Sequence, residues 1–319
     1  MKLILNKLSY VFIMLFIISL ISFLAIHLAP NSFFASGDLN PNITKESIEH
    51  LKEVYGLDKP IYIQFFSWVV NIFHLDFGIS FASGGKVHDE ILSRMPITLT
   101  INLISMIFIF ILSLYLGIKS ALQKGSVLDK FTGQLSLLSF SLPSFYLALL
   151  GVLVFSVNLD VLPISGLHSS DIKDGTFEYY LDIAWHLVMP IFIIVFGGIG
   201  SLTLYIRSLT LEILKSDYIF FAKSRGLSNK EILRYYILPN LYPTVITLLG
   251  LSLPGIIGGS VILETIFSID GMGLLFFQSA LSRDYPVIMG ILIIGAFLTL
   301  LGNIIADMIL VKLNPSMKE

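Results

Sequence analysis

No cysteine occurs among the 319 residues. That absence removes disulfides, thiolate-bound metals and cysteine nucleophiles together. Charge is also scarce: Asp, Glu, Lys and Arg make up 13% of the chain, against roughly 25% for an ordinary soluble domain. A phosphate loop is missing too. The nearest stretch, GISFASGGKV from Gly78 to Val87, carries Gly85-Lys86, but Ser80 stands at the first glycine position and Val87 replaces the hydroxyl residue. No His-Glu-x-x-His occurs, and although Ser260 follows Gly258-Gly259, the last histidine is His186. A membrane hydrolase built on Ser260 would therefore lack an imidazole base from any later helix.

What is present is apolar. Hydrophobic residues make up 55% of the chain, with 25 Phe, and the mean hydropathy is +0.86. Such a composition belongs to an integral membrane protein. Six runs approach the length of about 20 residues needed to cross a bilayer, at 8–29, 97–118, 133–157, 186–206, 241–263 and 285–311. None alternates with the period of a membrane barrel, so the expected class is all-α with six transmembrane helices. The first run is longer than a signal-peptide core and ends in HLAPNS without a small-residue cleavage site, so it is expected to be retained.

Sidedness follows from Lys and Arg. With the N-terminus inside, thirteen of the 20 lie on inner segments, leaving Lys45, Lys52, Lys59, Lys86, Arg94, Lys173 and Arg283 outside. The positive-inside rule then places both termini and the 207–240 loop in the cytoplasm. The expected organisation is residues 1–29 as tail and first span, 30–96 as an extracytoplasmic segment, and 97–319 as a five-helix core. Within 30–96, Thr44 can cap a helix ending at Gly56. The aromatic run IQFFSWVVNIFHLDF is too short to span; it lies in the interface or packs on the spans.

Breakers interrupt three runs. Pro143 lies in the third, Pro190 with Gly197, Gly198 and Gly200 in the fourth, and Pro254, Gly255, Gly258 and Gly259 in the fifth. Close helix packing accounts for such residues; a gating or path-lining role is the alternative for Pro143, Pro254, Gly255, Gly258 and Gly259. Intramembrane charge reduces to Arg207, Glu264 and Asp307, all near span ends, where snorkelling to the interface is expected. The six histidines fall on external segments without ligand spacing. They suit polar loops, with metal capture as the alternative.

The segment DYIFFAKSRGLSNKEILRYYILP, Asp217 to Pro239, lies between two apolar runs and carries Lys223, Arg225, Lys230 and Arg234. The spacing predicts two short helices hinged at Gly226. Tyr218, Phe221, Ala222 and Arg225 share one face of the first. Ser228 and Glu231 form a capping box for the second, whose apolar side is Ile232, Leu233, Tyr236 and Ile237, and Pro239 is expected to close it. A helical wedge between spans is suited to docking on a soluble partner. A self-sufficient carrier or channel would instead need a charged or carbonyl-lined site within the spans, and little in the sequence supplies one.

The wedge resembles the coupling motif of permeases of bacterial ATP-driven (ABC) importers. That motif runs Glu-Ala-Ala, three residues, Gly, and later Leu-Pro. Here Phe220-Phe221-Ala222, Gly226 and Leu238-Pro239 occupy those places, with Phe220 and Phe221 departing from the pattern. YGLDKPIYIQF, HLDFGISFAS, MPITLTINL, SLPSF, LPISG, GGSVILETIFSIDGMG and RDYPV also resemble the dipeptide/oligopeptide/nickel branch, HLDFGISFAS most closely its nickel permeases. The resemblance covers nearly the whole chain. It implies the type I importer permease fold, located in the bacterial cytoplasmic membrane. It further implies a second, similar permease, two cytoplasmic ATPases, an extracytoplasmic substrate-binding protein, and neither a cofactor nor a nucleic-acid partner. Tyr218, Phe221, Ala222, Gly226 and Leu227 are the expected ATPase-docking residues.

Overall fold

The computed structural model describes residues 2–28, 59–256 and 260–313. The predicted helix from Thr44 to Gly56 and the glycines at 258 and 259 lie outside them. Regular structure among the described residues is helical, with one isolated antiparallel bridge between Ile79 and Lys86. The helices are α1 (Lys2–Leu28), α2 (Ile61–Phe73), α3 (Val87–Leu122), α4 (Val127–Ser141), α5 (Ser144–Gly151), α6 (Phe177–Leu214), α7 (Asp217–Ser224), α8 (Asn229–Ile232), α9 (Leu238–Ser252), α10 (Val261–Ile266), α11 (Met272–Ser282) and α12 (Tyr285–Leu313).

Three of these, α3, α6 and α12, are long and apolar enough to cross a bilayer. α4 and the segment Ser144–Asn158, in which α5 runs on into a π-helical stretch, make a fourth candidate if counted together, but they bend by 99° where the third apolar run was expected to be one span. Pro143 forces the corner: it sits at the N-cap of α5 with φ −61° and ψ 136°, and its ring keeps the preceding residue, Leu142, extended. The fifth run also differs from one continuous helix. α9 stops at Ser252, a 3₁₀ turn covers Leu253–Ile256, and a separate helix begins at Val261. The Asn102 side chain donates to the Ile256 carbonyl at 2.8 Å, satisfying a group freed by that break.

Prolines 96 and 190 do not break their helices. α3 runs through Pro96 and starts at Val87, inside the 30–96 segment, ahead of the apolar run expected to begin at 97. α6, with 38 residues, reaches about 57 Å at 1.5 Å per residue. That exceeds a hydrocarbon core of about 30 Å, so its ends project beyond the apolar layer.

The described chain falls into two compact units. In the unit of Met1–Thr98, Ile257–Val261 and Asp270–Leu301, the aromatic stretch forms α2 and packs on α1: Phe65 stands edge-on to Phe16 and Phe23, with ring centres 5.7 and 5.3 Å apart. Two motifs distant in the chain also meet there. The Asp284 carboxylate of RDYPV is buried and accepts from Ser80 Oγ at 2.5 Å and from the Ala82 N–H at 3.1 Å, both in HLDFGISFAS.

The other unit, Leu99–Ile256, Ile262–Ile269 and Gly302–Glu319, is built on close helix approach. A Cβ on Gly200 of α6 would stand 2.4 Å from the Ser136 carbonyl oxygen and 2.7 Å from Ser139 Oγ on α4, whereas one on Gly197 meets nothing within 4 Å. The contact at Gly200 is with backbone, which cannot swing aside. Gly200→Ala is therefore expected to destabilise the protein by about 1–3 kcal/mol, the usual range for overpacking. Gly197→Ala should be near neutral, and thermal unfolding of the two detergent-solubilised variants checks the contrast.

Candidate functional site: the helical wedge

The wedge forms because each of its ends is locally satisfied. α7 ends in a Schellman motif: the Gly226 N–H donates to Lys223 O at 2.9 Å and the Leu227 N–H to Ala222 O at 3.2 Å. Gly226 takes φ +80°, the left-handed region that only glycine enters freely. Ala222 and Leu227, the positions whose apolar side chains accompany this motif, both pack in one core. Ser228 then caps α8. Its hydroxyl and N–H donate to the Glu231 carboxylate at 2.7 and 2.8 Å, and its Oγ accepts the Glu231 N–H at 3.4 Å.

These bonds, the Ser228 hydroxyl first, hold the Glu231 carboxyl below its ordinary range. A lowered carboxylate stabilises the fold above its unfolded pKa, and that contribution is lost as pH falls through the folded value. The capping box therefore weakens only on acidification.

Pro239 does not close the second helix. The chain passes from α8 through a π turn, Leu233–Ile237, into α9, with Pro239 in its first turn. Proline has no N–H for the Tyr235 carbonyl and its ring crowds that group; the wider turn relieves both.

The wedge has two faces. Inward, Ile219, Ala222, Ile232 and Ile237 are at most 2% exposed and share a core with Phe110 and Ile118 of α3, Ile206 of α6, and Leu241 and Val245 of α9. Outward, Phe220 and Phe221 are 69% and 65% exposed, their rings edge-to-face at 6.1 Å. Tyr218 is partly exposed and stacks on Tyr236 at 6.3 Å. Of the five residues expected to dock a partner, Tyr218 and Phe221 therefore present side chains. Ala222 and Leu227 face the chain's own core, and Gly226 shapes the turn. Phe220, read only as a departure from the motif, is the most exposed aromatic of the set.

Of the expected gating residues, the described Pro143, Pro254 and Gly255 lie outside the wedge segment. Pro143 makes the α4–α5 corner, Pro254 and Gly255 lie in the 3₁₀ turn after α9, and Gly255 faces open space. Arg207 does not snorkel freely. Its Nε and Nη2 donate to the Asp129 carboxylate of α4 at 2.6 and 2.9 Å. Glu264 is 4% exposed, and Asp307 is exposed on α12. Among the described residues no three His, Asp or Glu side chains converge as a metal-binding group.

The wedge is thus anchored inward through its aliphatic side and presents aromatics outward. Residues 111–319 match the family described as binding-protein-dependent transport system inner membrane component, and residues 1–102 match its N-terminal part. The chain belongs to this family, the permease subunits of ABC importers. It is 35% identical over 299 residues to the oligopeptide transport system permease protein AppB of Bacillus subtilis, covering 93% of each. It is 33% identical to the dipeptide transport system permease protein DppB of Lactococcus lactis, covering 99% of each. The metal-staphylopine import system permease protein CntB of Staphylococcus aureus is 29% identical over 100% of this chain and 98% of that protein. The fold also resembles a chain of the MetNI methionine ABC transporter in an inward-facing form, with TM-score 0.51 and 16% identity, covering 69% of this chain and 94% of that one.

Proposed function

We propose that this permease carries peptides or metal chelates inward across the bacterial cytoplasmic membrane, and that the 207–240 loop couples it to separate ATPases. The six apolar runs act as six spans with both termini in the cytoplasm. The translocation path forms with a second, similar permease; two ATPases supply the energy and an extracytoplasmic binding protein delivers the substrate. The observation that carries the coupling reading is the two-faced wedge. Phe220 and Phe221 are exposed on one side, while Ile219 and Ala222 on the other are fused to the core of α3, α6 and α9. A partner that grips the aromatics moves those helices. Nucleotide drives the change only through contacts that differ between its two states.

A hot-spot side chain at the centre of an interface costs about 2 kcal/mol or more when truncated. Changing Phe220 and Phe221 together to glutamate should leave the folded permease in the membrane and reduce co-purified ATPase at least tenfold. Full retention of the ATPases would exclude this face as their dock. Substrate class is read by comparing uptake of a radiolabelled dipeptide and a nickel–histidine chelate in a strain deleted for this gene. The strain should lose one of them, and losing neither would exclude both probes as substrates.

A further inference from the structure

Neighbouring residues of α6 face different partners. Ile206, 1% exposed, belongs to the core shared with the wedge residues Ile219, Ala222, Ile232 and Ile237. Arg207 turns instead to α4 and grips both oxygens of Asp129, at 2.6 and 2.9 Å. α3 repeats the arrangement. Its Ile118 joins the wedge core, while Ser120, two residues on, donates to Asp129 Oδ1 at 2.6 Å and accepts from Arg207 Nε at 3.1 Å. The Gly125 N–H donates to Asp129 Oδ2 at 2.9 Å. The Asp129 side chain is 8% exposed and that of Arg207 26%.

Stability alone does not call for such a group, because well-packed apolar residues of similar volume hold helices together at least as well as a buried ion pair. What a two-pronged guanidinium–carboxylate contact supplies is a fixed distance and angle. Further along the same seam there is no slack either, since Gly200 lies against the Ser136 backbone. The wedge core and α4 are thus attached to one turn of α6 through adjacent residues. α4 in turn ends at Ser141, just before the 99° corner at Pro143.

We propose that Arg207 and Asp129 are positioning residues for transport: they carry movement of the wedge into α4 and on to the bend at Pro143. α3, α4 and α6 then move as one body. The inference rests on the coupling reading of the wedge.

The chain has no cysteine, so an Asp129→Cys/Arg207→Cys variant offers a single thiol pair within it. Removing both charges leaves neither buried alone. The complete transporter, with its ATPases and binding protein, is reconstituted in vesicles. Uptake and ATP hydrolysis are measured side by side, using whichever of the dipeptide or nickel–histidine chelate the wild type carries. The double variant is expected to assemble but to move at least tenfold less substrate per ATP hydrolysed. Bridging the two thiols with a short bis-methanethiosulfonate reagent should restore the ratio to within twofold of wild type. An unchanged ratio before bridging, or none regained after it, would overturn the proposal.

Arg207→Lys keeps the charge and loses the two-pronged geometry. It tests the same claim if the cysteine pair fails to assemble, and a wild-type ratio there would equally overturn it. Wild-type vesicles that take up a probe equally with and without ATP would instead remove the coupling reading, and this inference with it.

Discussion

Replacing Gly226 with valine is expected to leave the permease folded in the membrane while cutting ATP-driven uptake roughly 30-fold. The turn at φ +80° costs a β-branched residue about 2 kcal/mol, and each 1.4 kcal/mol is a factor of about ten in population. A Cβ there would meet nothing within 4 Å, so the penalty is one of backbone conformation and not of crowding. That gives the effect an order. Asparagine, which tolerates the left-handed region, should lose least, alanine more and valine most. Uptake measured at matched membrane abundance checks the series. Equal uptake in all three would show that the wedge works without this turn.

The second large effect is on stability. Asp129→Ala strips the Arg207 guanidinium of both carboxylate bonds and leaves Ser120 and the Gly125 N–H without their acceptor. Breaking a buried pair from one side costs about 3–5 kcal/mol, and the lower end applies because Arg207 keeps 26% of its side chain exposed. Removing Arg207 as well should recover much of that loss, since no charge then stays buried alone. A double-mutant cycle on thermal unfolding of the solubilised protein reads this as strong non-additivity. Two independent, additive losses would mean that the pair is not one unit.

Local chemistry made much of the wedge legible. Ser228, Glu231 and Gly226 act on backbone groups within a few residues of themselves, so their roles follow from spacing. The faces were harder. Tyr218, Phe221, Ala222 and Arg225 do share a helical spacing, but which stripe is buried depends on the helices that arrive against it. Those helices bury Ile219 and Ala222 and leave Phe220 and Phe221 exposed. Arg207 looked like an edge residue because its partner lies 78 residues away, beyond any pattern of adjacent turns. Pro143 and Pro239 show why breakers are ambiguous: the first makes a corner, while a π turn lets the chain pass the second.

By itself the sequence determined that this protein is helical and apolar, has no nucleotide loop of its own, and carries a capped, glycine-hinged wedge. Those properties depend on composition and on contacts within one or two turns. Only the tertiary structure decided which side of the wedge is exposed, where the apolar runs break, and that Arg207 and Asp129 meet. Each of these turns on residues far apart in the chain, whose pairing is set by helix packing and not by local propensity.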